Sequence, residues 1–317
     1  MAGLNANANA NANANANANA NANAGANSGG ASFAVNVRYD THDLAKLLKP
    51  GEFPSEPTQR DAGAYNTTQT AVNKIKFRKY WDAELRASIY LNEFVIRNPE
   101  WVSVLKKAIY DAGMATPAKQ GLYAQLQANK GEQLRRVIEV SDEREARFLE
   151  IVDQDDGDGV IKYWLAMLMI DAPHDPATYQ LIRVARRVGE VVVMCLKEEY
   201  HEARPSQVCP VIVPLMGPPV HPSFPAGHAT QNHLIAHCLR AANRPGNQPD
   251  MLDKLARRIA QNRVIAGLHY PLDNDAGEAV AGKCFELLAG GPLFDELLAE
   301  ARKEGEQVST VPEVREL

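Results

Sequence analysis

The sequence predicts an all-α protein. Apolar residues recur at helical spacing over most of the 317-residue chain after residue 76. Alternation typical of β-strands is hard to find, apart from a short strand predicted around residues 32–38. Prolines such as Pro99, Pro205 and Pro271 interrupt the apolar pattern where separate helices are expected to end or begin.

The first 30 residues differ from the rest of the chain. A strict Asn–Ala alternation is followed by a Gly- and Ser-rich stretch, with no large apolar side chain to bury. Ordering such a segment would cost entropy without compensation, so we predict a disordered tail over 1–30. Residues 31–170 are expected to form a helical region packed on a core at 171–303. Residues 304–317 are expected to be a flexible polar tail.

The helices follow one another in a clear order. Two are predicted over 77–112, with a break at Asn98-Pro99, and two more over 119–128 and 131–152. Residues 153–159, DQDDGDG, form an acidic turn. Its spacing does not fit the ligand register of a calcium loop, so a solvated helix–helix turn is favoured. A long helix over 177–203 precedes three helices over 228–242, 251–267 and 273–289.

Composition excludes several classes of function. The formal net charge is −5, so the chain lacks the basic signature of a nucleic-acid binder. No secretory signal is visible, and prolines interrupt the uncharged stretch 205–239, which therefore cannot form a spanning helix. The four cysteines are widely spaced, which favours reduced thiols over a zinc site. We therefore expect a soluble, cytoplasmic protein.

The stretch CLKEEYHEARP contains the first candidate anion site. Lys197 and Arg204 are nearly two helical turns apart, so both are expected on one face of the helix that Pro205 ends. Arginine binds an oxyanion in a bidentate manner, and lysine acts as a point charge. The alternative is a solvated face that pairs with neighbouring glutamates.

The stretch HPSFPAGHAT contains the second. Pro225, Ala226 and Gly227 lead into a helix, whose first amide N–H groups can bind an anion. Gly227 would let that anion approach closely, and His228 would face it as a proton donor. Alternatively, His228 only caps or packs.

The stretch NRVIAGLHYPLDNDAG contains the third. Tyr270-Pro271 breaks the helix after His269, so Asp273 can fold back onto the imidazole, and Asp275 is a second candidate for that contact. A carboxylate on one ring nitrogen fixes the tautomer and leaves the other nitrogen as a nucleophile. A purely structural hydrogen bond across the turn is the alternative.

In this order, the three stretches are similar to the three-part signature of the type 2 phosphatidic acid phosphatase and vanadium haloperoxidase superfamily. The resemblance covers roughly residues 175–290 and implies a helical bundle of that type with additional N-terminal helices. It also implies a role for each matching residue. Lys197, Arg204, Arg263 and the Gly227 N–H would bind phosphate or vanadate, His269 would be the nucleophile, Asp273 would orient it, and His228 would be the general acid and base.

Two positions depart from the family pattern. Ala226 stands where the family usually has serine, and Asn262 stands where another serine usually precedes the arginine. Loss of one hydroxyl donor to a charged oxygen costs roughly 1.5–3 kcal/mol. Thr230 or Asn232 is a candidate to replace the missing hydroxyl.

The resemblance implies a phosphomonoester hydrolase that needs no metal or other cofactor and forms a phosphohistidine. The first alternative is a haloperoxidase with vanadate bound through His269, acting on halide and peroxide. The second is an oxyanion-binding protein without turnover. The expected partner is a small phosphoester, with no nucleic acid and no transmembrane segment, and haloperoxidase relatives suggest a homo-oligomer.

Overall fold

The computed structural model of the chain describes residues 81–155, 158–242 and 249–309. Every regular element in these ranges is a helix, which confirms the all-α prediction. The described residues from Ala83 onward belong to one compact unit. The Asn–Ala tail and the strand expected at 32–38 lie outside the described residues.

Among the described residues, six α-helices precede the long central one: α1 (Ala83–Arg97), α2 (Trp101–Met114), α3 (Leu122–Ala128), α4 (Lys130–Val140), α5 (Arg144–Asp153) and α6 (Gly159–Leu168). The break predicted at Asn98-Pro99 is confirmed, and the Asn98 amide donates to the Phe94 carbonyl at 2.8 Å. The single helix predicted over 131–152 is wrong, because the 3₁₀ turn Ser141–Glu143 divides it. The Ser141 hydroxyl donates to the Ile138 carbonyl at 2.6 Å, which favours a turn over continued α-helix.

Helix α7 (Pro176–Tyr200) is shorter at its C-terminal end than predicted. His201 takes the left-handed conformation, with φ of 51°, and ends the helix before Arg204. Arg204 has extended backbone angles, as expected for a residue that precedes a proline. The prediction that Lys197 and Arg204 share one helix face is therefore wrong.

In the described part of the chain, the helices after α7 are α8 (Pro205–Val208), α9 (Gly227–Ala242), α10 (Pro249–Ile265), α11 (Pro271–Leu288) and α12 (Pro292–Ser309). The three helices predicted over 228–289 are confirmed, with small shifts at their ends. Four of the five begin with proline, whose fixed φ suits a first helical position and whose missing N–H is not needed there.

Helix α9 lies at the centre of the bundle and packs against α7, α10 and α11. Gly277 of α11 allows the closest approach, because a Cβ there would lie 2.7 Å from the Ala229 Cβ and 2.9 Å from the Ala226 oxygen. The apolar core joins helices before and after position 170, including Trp164 and Leu181. This packing brings the second and third sequence motifs together.

The C-terminal helix continues past the residue where a flexible tail was expected to begin. The Glu304 carboxylate accepts hydrogen bonds from the Ala177 N–H at 2.7 Å and the Thr178 N–H and hydroxyl at 2.8 Å each. The two N–H groups belong to the first turn of α7, where amide donors have no partner within the helix itself. Negative charge is also favoured at a helix N-terminus. The boundary expected at Glu304 is therefore wrong, and residues 310–317 lie outside the described part.

No helix in the described ranges has both the length and the hydropathy needed to cross a bilayer.

Candidate active site

The three sequence motifs supply one buried cluster of charged and titratable side chains. Lys197, Arg204, Arg263, His269 and Asp273 are each at most 4% exposed. Lysine and arginine are almost never buried to this extent without a partner, so their convergence needs a chemical reason.

Lys197 comes from the last turn of α7 and points into the loop before α9. Its Nζ donates to the carbonyl oxygens of Pro222 at 2.5 Å and Ser223 at 2.7 Å. Burial lowers the pKa of Lys197 to about 7, and the charge of Arg204 acts in the same direction. An anion bound in the cluster would offset both effects and favour the charged lysine.

Arg204 reaches the cluster from the turn between α7 and α8. Its guanidinium donates to the carbonyls of Leu268 at 2.8 Å and His221 at 3.2 Å, and its Nη1 lies 3.4 Å from His269 Nε2. Burial lowers the pKa of Arg204 to about 10, while the Asp273 charge raises it. The side chain thus meets the predicted nucleophile, although by a different backbone path from the one predicted.

His269 and Asp273 form the predicted contact, with Nδ1 and Oδ2 2.9 Å apart. Helix α11 begins at Pro271, and the Asp273 carboxylate folds back to accept the Tyr270 N–H at 3.1 Å. Because the carboxylate accepts from Nδ1, the Nε2 lone pair faces Arg204. Burial raises the pKa of Asp273 to about 6, and burial together with nearby cations holds the pKa of His269 well below its usual value.

Asp275, the second candidate for the His269 contact, is not the residue that makes it. The hydrogen bond to the His269 imidazole is made by Asp273. Burial raises the pKa of the Asp275 carboxyl.

His228 lies in the first turn of α9, and its Nε2 is 3.2 Å from the Gln154 carbonyl oxygen. That oxygen can only accept, so Nε2 carries the proton in this arrangement. Burial lowers the pKa of His228 to about 3, and the charge of Arg263 contributes. His228 and Arg263 therefore lie close enough to interact electrostatically.

Arg263 comes from the last turn of α10. Its Nη2 lies 3.2 Å from Asp155 Oδ1 and 2.9 Å from Met216 Sδ. Its buried Nε finds no hydrogen-bond partner within the described ranges. Burial lowers the pKa of Arg263. A buried guanidinium with an unused N–H is suited to a further anionic acceptor.

Gly227 begins α9 at the point where the predicted anion cradle should lie. A Cβ at this position would lie 3.6 Å from Val193 Cγ1, which is ordinary contact. Packing therefore does not require glycine here. The predicted approach of an anion to the Gly227 N–H would account for it, and that role stays a prediction.

The two departures from the family pattern have structural partners. Ala226 is fully buried and packs with Ala229 and Ala260. The Asn262 amide donates to Glu150 and Gln154 side chains at 2.9 Å each, so it anchors α5.

Neither proposed replacement for the missing hydroxyl is free to act. The Thr230 hydroxyl donates to the Ala226 carbonyl at 3.0 Å. Asn232 donates to the His228 carbonyl at 2.8 Å and accepts from the Trp164 indole at 2.7 Å. The suggestion that Thr230 or Asn232 supplies the hydroxyl function is therefore not supported.

Sequence reasoning missed two sets of residues at this site. The acidic turn is not simply solvated, because Gln154 and Asp155 contact His228 and Arg263, and Asp158 pairs with Arg183 at 2.6 Å. Ser223 was also missed, although its hydroxyl lies 2.5 Å from Asp273 Oδ2. Its position in the HPSFPAGH stretch was the available signal.

Within the described residues, no group of three or more His, Cys, Asp or Glu side chains could hold a metal ion.

No family model matches the chain. Over 85 residues it is 38% identical to non-specific acid phosphatases of Salmonella typhi and Salmonella typhimurium. Over 82 residues it is 35% identical to the non-specific acid phosphatase of Providencia stuartii. Each match covers 26% of this chain and 32% of the relative, so the chain spans about a third of the length of these curated relatives.

Proposed function

We propose that the protein is a phosphomonoester hydrolase that needs no metal ion and acts through a phosphohistidine at His269. The observation that carries this proposal is the buried Asp273–His269 pair, whose Nε2 lies 3.4 Å from the Arg204 guanidinium. A nucleophilic nitrogen beside a buried cation suits attack on an anionic phosphoryl group. Similarity to acid phosphatases over a limited stretch supports the hydrolysis of a phosphate ester, which is the coarser part of this proposal.

The cations would bind the phosphoryl oxygens. Lys197, Arg204 and Arg263 supply three positive charges, and the Gly227 N–H at the start of α9 supplies a backbone donor. Such fixed donors stabilise the charge of the transition state without reorganisation. The proposed role would account for three cations in a site where burial lowers the pKa of each.

The reaction would proceed in two displacements. The Nε2 lone pair of His269 forms the P–N bond while the P–O bond to the leaving group breaks, and the leaving oxygen takes a proton from His228. Water then attacks phosphorus and gives a proton to His228, while the P–N bond breaks and releases phosphate. Asp273 stabilises the positive charge that His269 carries in the intermediate.

Burial keeps His228 neutral before an anion binds, with a pKa of about 3. The phosphate charge would offset that of Arg263 and raise the affinity of His228 for a proton. A monoanionic ester can bring this proton with it, so we expect greater activity at mildly acidic pH.

The alternative function is that of a haloperoxidase, whose cofactor would be vanadate. The same residues would hold it, with His269 as its ligand and the three cations around its oxygens. Bound vanadate would activate peroxide for the oxidation of halide.

The first experiment is hydrolysis of p-nitrophenyl phosphate by chelator-treated protein, titrated with orthovanadate. We expect turnover that vanadate blocks and that His269→Ala abolishes. His174→Ala is the matched control, because its side chain is 83% exposed and pairs only with the nearby Asp171 among its described ion pairs.

Other outcomes would contradict the proposal in distinct ways. Activity lost on chelation and restored by a divalent cation would overturn metal independence. No turnover, with peroxide-dependent bromide oxidation after vanadate loading, would favour the haloperoxidase. Phosphate binding without either reaction would favour the oxyanion-binding protein.

A further inference from the structure

Ser223 is fixed where all three motifs meet. It lies in the loop between α8 and α9 and is fully buried. Its N–H donates to the Glu202 carbonyl at 2.8 Å, and its own carbonyl accepts from Lys197 Nζ at 2.7 Å. Its backbone is therefore held from both sides by the segment that contains the first motif.

The Ser223 side chain points to the third motif. Its hydroxyl donates to Asp273 Oδ2 at 2.5 Å, and its Oγ lies 3.3 Å from His269 Nδ1. The same Oδ2 accepts from His269 Nδ1 and from the Tyr270 N–H. Asp273 Oδ1 finds no hydrogen-bond partner within the described residues, so the stabilisation of this buried carboxylate is concentrated on one oxygen.

We propose that Ser223 is a positioning residue, whose hydroxyl keeps Asp273 ionised and directed at His269 Nδ1, so that the nucleophilic lone pair stays on Nε2. The significance of this role for catalysis rests on the proposed function. The contact itself does not depend on any reaction, because it joins side chains of the protein alone.

Burial of the pair makes this hydrogen bond important, although the charges of Lys197 and Arg204 also favour the ionised carboxylate. Burial raises the pKa of Asp273, and the Ser223 hydrogen bond opposes that rise. Without the hydroxyl, the fully buried carboxylate would lose a short, charge-assisted hydrogen bond. The other titratable or charged groups that face the pair are Lys197 of α7, Arg204 of the α7–α8 turn, His228 of α9, Arg263 of α10 and Tyr270 before α11.

The expected effect of Ser223→Ala is a change in pH dependence. Loss of a donor to an ionised group raises the pKa of the Asp273–His269 pair by about one unit or more. The acid limb of kcat/KM therefore moves to higher pH. With a pKa of about 6 for Asp273 in the unmodified protein, kcat/KM at pH 6 falls by about fivefold or more. A merely structural role would lower the amount of folded enzyme or the maximum of kcat/KM. It would leave the pH of the acid limb unchanged.

Thr230→Val is the matched control. Thr230 is also fully buried, but its hydroxyl donates to a backbone carbonyl rather than to the carboxylate. The substitution preserves side-chain shape and removes a buried hydroxyl, so it reproduces the stability cost. We expect no shift of the acid limb in this variant. An equal shift in both variants, or none in Ser223→Ala, would overturn the proposal.

A second measurement needs no turnover. The nitrogen and proton NMR signals of the His269 imidazole, assigned by comparison with His269→Ala, report the tautomer and the pH at which the pair gains a proton. We expect a single Nδ1–H tautomer in the unmodified protein, and in Ser223→Ala a mixture of tautomers with protonation at higher pH. If the protein proves inactive, the proposed function fails, while an unchanged tautomer and titration in Ser223→Ala would refute the role of Ser223.

Discussion

The contact between Asp155 and Arg263 has a direct consequence for anion affinity. Asp155 places a carboxylate oxygen 3.2 Å from Nη2 of the guanidinium that we propose binds phosphate. A phosphoryl group must therefore compete with an anion that belongs to the protein. Asp155→Asn removes that competing charge and keeps the size of the side chain, so phosphate should bind more tightly.

The magnitude follows from the exposure of the two partners. The Arg263 side chain is 1% exposed, but that of Asp155 is 45% exposed, so solvent screens the pair. Ion pairs of this kind contribute up to about 1 kcal/mol. This corresponds to phosphate binding that is about fivefold tighter in the variant.

The assay is competitive inhibition by inorganic phosphate at constant ionic strength, together with KM for p-nitrophenyl phosphate. Asp153→Asn is the control, because it makes the same change in net charge at the end of α5 without the Arg263 contact. Equal affinities in Asp155→Asn and the unmodified protein, or equal tightening in both variants, would refute the reasoning that Asp155 competes locally.

Two further predictions concern the ends of α7. Glu304→Ala removes three hydrogen bonds from the start of the helix, so the free energy of unfolding should fall by about 1.5 kcal/mol in urea titrations. The exposed Glu306 of the same helix gives the control substitution Glu306→Ala, and equal losses in both variants would contradict a capping role. Because the pKa of Lys197 is about 7 before an anion binds, anion binding above pH 7 must restore its proton. Affinity for sulfate, which does not titrate in this range, should therefore fall by about tenfold per pH unit above pH 7, and constant affinity from pH 6 to 9 would contradict this linkage.

Local spacing allowed a sound prediction of the His269–Asp273 contact. The two residues are four positions apart, and the intervening proline begins a new helix, so the backbone between them has little freedom. The all-α fold was predictable for a similar reason, since helical periodicity is a property of short segments.

Lys197 and Arg204 show the limit of that reasoning. Spacing placed them on one helix, but the left-handed His201 and the residue before Pro205 redirect the chain. Arg204 still reaches His269 because the carbonyls of His221 and Leu268, both distant in sequence, hold its guanidinium. Tertiary contacts of this kind are not encoded in the local pattern.

The contacts of Asp155 and Ser223 were missed for the same reason. Asp155 is far from Arg263 in sequence, and its acidic neighbours suggested a solvated turn. Ser223 lay within a recognised stretch, but only the packing of α11 against the start of α9 brings Asp273 to its hydroxyl.

The central claim is that His269 becomes phosphorylated during turnover. The most direct measurement is rapid mixing with substrate and an alkaline quench, followed by intact-mass and peptide mass spectrometry. We expect one phosphoryl group on the peptide that contains His269, and none in His269→Ala. Full turnover with no phosphoprotein at any time after mixing, or active His269→Ala, would contradict it.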